Sequence, residues 1–184
     1  MTMITPKEAA DTLANAQELY SRAEVEQTLD RLANEISDKL SGEDPIVLCV
    51  LNGALIPTGH LLTRLDFPLR QDYVHATRYR GEMSGADLEW IGQPSTSLKE
   101  EVVLVIDDIL DEGITLAAIV KACHEAGASA VYSAVLVEKV HDRSNGYKAD
   151  FVGLEVEDRY VFGFGMDYKG YLRNVPAILA VTEN

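Results

Sequence analysis

The segment VVLVIDDILDEGITL, residues 102–116, constrains the fold more than any other stretch of the chain. It begins with apolar residues in unbroken succession, which suits a strand covered on both faces rather than one with a wet side. The pattern predicts that strand over 102–106. Adjacent acids, Asp107 and Asp108, follow at once, then a further acid, Asp111, then Gly113 and Thr115. A helix is predicted over 116–125, with Thr115 opening it and Gly127 stopping it. A strand buried on both faces needs helices on both sides of its sheet, so the expected class is α/β with a largely parallel, twisted sheet. Ligands of such sheets bind at the carboxyl ends of strands, in the loops that lead to helices. The acids stand at that position.

The flanking sequence is consistent with this architecture. Ile46–Leu51 (IVLCVL) is a second continuous apolar run, ended by Gly53 and followed by a predicted helix over 57–65. Strands are predicted over 68–77 and 130–137, with short ones at 151–154, 160–164 and 177–181. Upstream, Thr5-Pro6 opens a predicted helix running through 8–20. Ser21 and Glu24 form a capping-box pattern before Leu29, Leu32, Ile36 and Leu40, which recur at helical spacing until Gly42. Residues 78–97 are rich in glycine, serine and charge and read as a mobile loop with a hairpin strand at 87–91. A chain of 184 residues buries roughly 70% of its extended surface. One domain over 1–184 is therefore expected, with a helical N-terminal segment at 1–42.

Each part of the 102–116 segment has a chemical use. Gly113 permits a tight turn with backbone close to a ligand. The amides of Glu112, Gly113, Ile114 and Thr115 can converge at a helix N-terminus, which is an anion site. Ionised adjacent carboxylates accept hydrogen bonds from vicinal hydroxyls of a ribose. Together these parts make a ribose-phosphate grip. The net charge of −14 opposes non-specific nucleic-acid binding, which depends on basic residues neutralising phosphates. An anionic small ligand in this background requires a divalent cation or a focused set of donors. No apolar run reaches the ~18–20 residues of a membrane span, and no leader pattern precedes the helices. With cysteine only at Cys49 and Cys123, a reduced cytoplasmic protein is expected. His60, His75, His124 and His141 are scattered, so no zinc site is predicted.

The order of strand, acid pair, acid, glycine and threonine resembles the signature by which phosphoribosyltransferases bind phosphoribosyl pyrophosphate (PRPP). From about Pro45 to Val181 the chain resembles the hypoxanthine-guanine branch of that family. LCVLNGA, residues 48–54, resembles its first pyrophosphate loop. EKVHDRSNGYKADFVGLEVEDRYVFGFGMDYKGYLRN, residues 138–174, resembles its purine-binding and closing segments. The resemblance implies a type I phosphoribosyltransferase-like fold, with a small hood built from the terminal segments. It also implies transfer of phosphoribosyl from PRPP to N9 of hypoxanthine or guanine, with Mg²⁺ as cofactor and a homodimer or homotetramer as the assembly.

Site roles follow from the same resemblance. Asp107 and Asp108 would contact the ribose hydroxyls, and Asp111 would handle the proton on purine N7. The backbone of Glu112, Gly113, Ile114 and Thr115 would hold the 5′-phosphate. Asn52, Gly53, Arg159 and Arg173 would serve pyrophosphate, with Arg78 and Tyr79 in the mobile loop. Lys139 would donate to the 6-oxo group, Tyr160 would stack on the base, and Val161 would meet the base edge through its backbone. Asp167, with Asp107 and Asp108, would help hold Mg²⁺.

The chain departs from the family pattern at four positions. Asn52 stands where lysine is common, Arg78 replaces the serine of a Ser-Tyr pair, Glu112 replaces a hydroxyl residue, and Arg159 replaces a lysine. These changes bear on PRPP affinity more than on reaction class. Because fold does not establish activity, two alternatives stand beside the leading one. They are a PRPP- or nucleotide-sensing regulatory module, and the same chemistry on xanthine.

Overall fold

The structure, a computed structural model, describes residues 4–78 and 88–182. Its central sheet has six strands: β2 (Ile46–Leu51), β3 (Arg70–Arg78), β4 (Leu88–Gly92), β5 (Val102–Leu110), β6 (Ala130–Val140) and β7 (Phe151–Glu157). Their spatial order is β4-β3-β2-β5-β6-β7. Every neighbouring pair is parallel except the β3–β4 hairpin.

The apolar runs are buried on both faces, as their lack of alternation requires. Leu104 and Ile106 of β5 face a core shared with α2 (Arg22–Leu40) and α3 (Leu55–Leu62), where Val25, Leu29, Leu32 and Ile36 are fully enclosed. Val103 and Val105 face the opposite core, closed by Leu116, Ile119 and Cys123 of α4 (Ile114–Glu125). Each such side chain contributes roughly 1.5–3 kcal/mol by leaving water. The Ser21 capping box is formed, with Glu24 reaching back to the Ser21 amide at 2.8 Å. Thr5 caps α1 (Pro6–Asn15) in the same way with Glu8.

A second sheet of three strands forms the hood. β1 (Gln17–Tyr20), β8 (Val161–Phe162) and β9 (Ile178–Ala180) pair antiparallel in the order β1-β9-β8. Phe162, Ala177 and Leu179 make its own small core.

Several elements differ from the sequence expectation. The helix expected over 8–20 ends at Asn15, and residues 17–20 are a strand. Gln17 pairs with Ala180 across the whole chain, and such distant pairing overrides local helix preference. β5 does not stop at 106: its ladder with β6 continues to Leu110 opposite Glu138. The acid pair therefore lies on the strand and not in a loop. β6 likewise runs past 137 to Val140. α3 begins two residues before its predicted start and ends three before its predicted end. β3, β7, β8 and β9 differ from the predicted spans by a few residues each.

The segment expected as a mobile loop over 78–97 is in part regular. β4 pairs with β3, and beyond it Asp72 fastens the chain. Its carboxylate accepts from the Ser95 and Thr96 amides at 2.8 Å each and from the Ser95 hydroxyl at 3.0 Å. Residues 79–87 of that expectation, Tyr79 included, lie outside the described residues. Among the described residues, no helix is long and apolar enough to cross a membrane.

Burial acts to raise the pKa of Asp72, but the hydrogen bonds from the Thr96 and Tyr73 amides outweigh it and hold the carboxyl below its ordinary value. A depressed folded value stabilises the fold above the unfolded pKa of ~3.9, and that stability is lost as pH falls through the folded value. Asp72→Ala leaves these donors unpaired, at a cost of about 2 kcal/mol. Its melting temperature at pH 7 is expected to fall by about 4–8 °C. The difference from the unaltered protein should narrow below about pH 4; a gap independent of pH would contradict this role of the carboxylate.

Candidate active site at the carboxyl edge of the sheet

The β5–β6 register dictates where the acids go. Asp107 sits in the ladder opposite Val135 and is 8% exposed. Its Oδ1 accepts from the Asp108 amide at 2.9 Å, and Asp108 Oδ1 accepts from the Ile109 amide at 3.0 Å. Burial raises the Asp107 pKa well above the ordinary carboxylate value, and the charge of Asp108 adds to the effect. Asp108 is also raised by burial, with the Asp107 hydrogen bond and the charge of Arg173 working against the rise.

The turn after β2 approaches this pair closely. A Cβ on Gly53 would run into the Asp108 carboxylate, so a larger residue there would force the acid to shift. The Leu51–Asn52 peptide is cis, and Asn52 itself is exposed to solvent.

At the end of β5, Gly113 adopts φ 83° and caps α4 without a side chain. A Cβ there would press on Asn145 and Tyr147, because the 141–147 segment folds over this turn, with the Asn145 amide donating to the Glu112 carbonyl at 2.9 Å. The Glu112 carboxylate lies 3.8 Å from the Arg143 guanidinium. A cavity of about 300 Å³ opens beside these groups, lined by Gly53, Asp107, Asp108, Glu112, Gly113 and Thr115 among others.

Asp167 and Arg173 close the far side of the cavity. They form an ion pair at 2.7 Å, and each is braced by backbone. The Gly170 amide donates to Asp167 Oδ2 at 2.7 Å, and Arg173 donates to the Gly165 carbonyl at 2.6 Å.

Asp111 stands on the cavity's other border, where β5 and β6 bring the next pair of residues together. Lys139 Nζ lies 3.1 Å from Asp111 Oδ2, and His141 Nε2 lies 2.7 Å from Oδ1. Partial burial acts to raise the pKa of Asp111, but hydrogen bonds from His141 and Lys139 outweigh it and hold the carboxyl below its ordinary value. Asp158 joins the group through Arg143 at 2.6 Å and Lys139 at 3.9 Å. Tyr160 is exposed and meets Tyr168 edge to face at 5.2 Å. Val161 is buried on β8, opposite Ala180.

The fold thus gathers Gly53, the acids at 107, 108 and 111, the turn from Glu112 to Thr115, Lys139, Asp167 and Arg173 at one edge. Arg159 is not brought there. Its guanidinium donates to the Gln17 side chain at 2.7 Å and to the Val181 carbonyl at 3.4 Å, so it ties the hood together. The Arg78 backbone ends β3.

Sequence reasoning missed His141, Arg143 and Asp158. His141 belongs, with Asp111 and Asp158, to a cluster of ligand-type groups within 4.8 Å of one another. The scatter of the four histidines along the chain gave no sign of this meeting. The available signal was its spacing: residues two apart at a strand end share a face, which sets His141 beside Lys139. Cations from Lys139 and Arg143 already occupy these carboxylates, so the cluster is an ion-pair network.

Comparison with known proteins agrees with the geometry. Residues 15–169 match the phosphoribosyl transferase domain family. The chain is 32% identical over 161 residues to the hypoxanthine-guanine phosphoribosyltransferase of Bacillus subtilis, covering 87% of this chain and 89% of that one. It is 29% identical over 167 residues to the hypoxanthine-guanine-xanthine phosphoribosyltransferase of Tritrichomonas foetus, covering 90% and 91% respectively. A solved hypoxanthine phosphoribosyltransferase from Staphylococcus aureus superposes with a TM-score of 0.87, at 24% identity, over 92% of this chain and 94% of that one. That last likeness is one of fold.

The buried acid pair carries a stability cost, because burial and mutual repulsion oppose ionisation of carboxyls side by side. Asp107→Asn keeps the shape and removes the group whose ionisation burial opposes. In ligand-free protein at pH 7.5 it is expected to raise the melting temperature by about 2–6 °C. Calorimetry in chelator-treated buffer checks this, and a fall in melting temperature would contradict it.

Proposed function

The chain belongs to the phosphoribosyltransferase family, in its hypoxanthine-guanine branch, and from that premise we propose that it transfers phosphoribosyl from PRPP to N9 of hypoxanthine or guanine. The products are IMP or GMP and pyrophosphate, which makes this a purine-salvage enzyme. The observation that carries the reading is the 3.1 Å contact between Lys139 and Asp111. It joins a donor suited to a 6-oxo group to the loop suited to ribose phosphate.

In this mechanism the C1′–oxygen bond of PRPP breaks and pyrophosphate leaves with the electron pair. The N9–C1′ bond forms, and the proton on N7 passes to Asp111. Positive charge grows on the ribose as the bond breaks, and the buried carboxylates of Asp107 and Asp108 stabilise it while accepting the ribose hydroxyls. Amides from Glu112 to Thr115, at the start of α4, hold the 5′-phosphate. Arg173 meets pyrophosphate, assisted by the backbone at Asn52 and Gly53. Lys139 donates to the 6-oxo oxygen, the exposed ring of Tyr160 stacks on the base, and the Val161 backbone meets its edge.

Carboxylate oxygens beside a cavity in a strongly acidic chain suit Mg²⁺, a hard cation that takes oxygen donors. Asp107, Asp108 and Asp167 are the residues that would hold it. When bound, Mg²⁺ supplies neutralisation of the pyrophosphate leaving group. The unpaired, buried Cys49 and Cys123 suit a reducing cytoplasm. A homodimer or homotetramer of one-domain chains over 1–184 completes the reading. Xanthine as a further substrate is a second reading, favoured by the name of the Tritrichomonas relative.

Product analysis with PRPP, Mg²⁺ and each of hypoxanthine, guanine, xanthine and adenine tests the proposal. An ammonium only donates, so the adenine amino group faces Lys139 donor to donor, and rejection by about 10⁴–10⁵-fold is expected. Lys139→Ala should slow hypoxanthine turnover and narrow the gap to adenine. Asp111→Asn should lower kcat by about 10²–10⁴-fold with little change in PRPP affinity. Efficient adenine turnover by the unaltered protein would sink the assignment of Lys139.

A further inference from the structure

Among the groups that the proposed mechanism leaves unused, His141 is the most tightly constrained. Its side chain is 5% exposed, immediately past the end of β6. The Arg143 amide donates to Nδ1 at 3.0 Å. A ring nitrogen that accepts from an amide carries no proton of its own, so the imidazole proton is on Nε2. Nε2 lies 2.7 Å from Asp111 Oδ1 and donates to it. The backbone of the 141–143 turn thus selects the tautomer that can hold Asp111.

The Asp111 carboxylate is gripped at both oxygens, Oδ1 by His141 and Oδ2 by Lys139. Binding a 6-oxopurine draws the Lys139 ammonium to the base oxygen and frees Oδ2. The Arg143 guanidinium, 3.8 Å from Asp111 Oδ1, is beyond hydrogen-bond range and is already committed to Asp158 at 2.6 Å. His141 then holds the carboxylate alone.

We propose that His141 is a positioning residue for phosphoribosyl transfer: its Nε2–H fixes Oδ1 of Asp111 so that Oδ2 stays aimed at purine N7 while Lys139 is engaged by the base. The proposal rests on the 6-oxopurine reading of the site. No proton passes through His141. The N7 proton goes to Oδ2, and the Nε2–H bond to Oδ1 favours the ionised carboxylate, so Asp111 gives that proton up to solvent readily after the transfer.

Two substitutions separate the halves of the imidazole. The amide oxygen of His141→Asn can reach where Nδ1 is and still accept from Arg143, but nothing reaches Asp111. The amide nitrogen of His141→Gln can reach where Nε2 is and donates to Oδ1. Misplacing a reacting group by about 1 Å costs on the order of 10²-fold, so His141→Asn is expected to lower kcat for hypoxanthine by about 10–10²-fold. Its KM for PRPP and its melting temperature should stay close to those of the unaltered protein. His141→Gln should recover most of the lost rate. Undiminished kcat in His141→Asn, or equal loss in both variants, would overturn the role of His141. Failure of the unaltered protein to form IMP or GMP would instead overturn the reading of the site.

Discussion

The structure depends on one parallel ladder. β5 and β6 stay paired beyond the buried core, out to Leu110 opposite Glu138. In a parallel pair each further residue on one strand is carried next to its counterpart on the other. Asp111 and Lys139 therefore meet although 28 residues separate them in sequence, and His141 follows at the same strand end. Had β5 ended at Ile106, the acids would lie on an independent loop with no lysine to answer them. The apolar half of the strand anchors this extension: Val103, Leu104 and Val105 are inaccessible, with cores on both faces.

The same edge is where the fold accepts unfavourable electrostatics. Asp107 and Asp108 are adjacent and largely enclosed, and both are raised in pKa mainly by burial. The turn at Gly53 passes so close that a Cβ there would meet the Asp108 carboxylate. Carboxylates held in this way cost stability until a ligand accepts their charge, a pattern that marks functional sites more often than structural ones. By contrast, the carboxylate of Asp72 is satisfied by amides and serves only to fasten a loop.

The departures from the family pattern acquire physical meaning in three dimensions. The negative charge of Glu112 in the phosphate turn is answered by Arg143 at 3.8 Å, which leaves the backbone amides as the proposed phosphate donors. Arg143 also holds Asp158, so one side chain links the Glu112 turn to the chain just after β7. Arg159 is spent on Gln17 and Val181, where it joins the N-terminal strand of the hood to its C-terminal one. In a chain of net charge −14, such cations are scarce, and three of them, Lys139, Arg143 and Arg173, are drawn to this edge.

The sequence by itself determined the fold class and singled out the strand end where the candidate site is gathered. Unbroken apolar runs at Ile46–Leu51 and from Val102 demanded a covered parallel sheet. The acid–glycine–threonine order marked the strand end proposed to take a ribose phosphate, and the Ser21 and Glu24 capping box marked the start of α2. These signals are local, carried by neighbours within a few positions. The strand at Gln17–Tyr20 was hidden because its partner is β9, at the other end of the chain. The continuation of β5 through its acids was hidden because β6 sustains it. His141 read only as one of four scattered histidines, since its tautomer comes from the Arg143 amide and its partner from the end of another strand. Tertiary structure alone decided which charges meet. Spacing along the chain encodes which face a side chain takes, whereas the pairing of distant strands decides what that face touches.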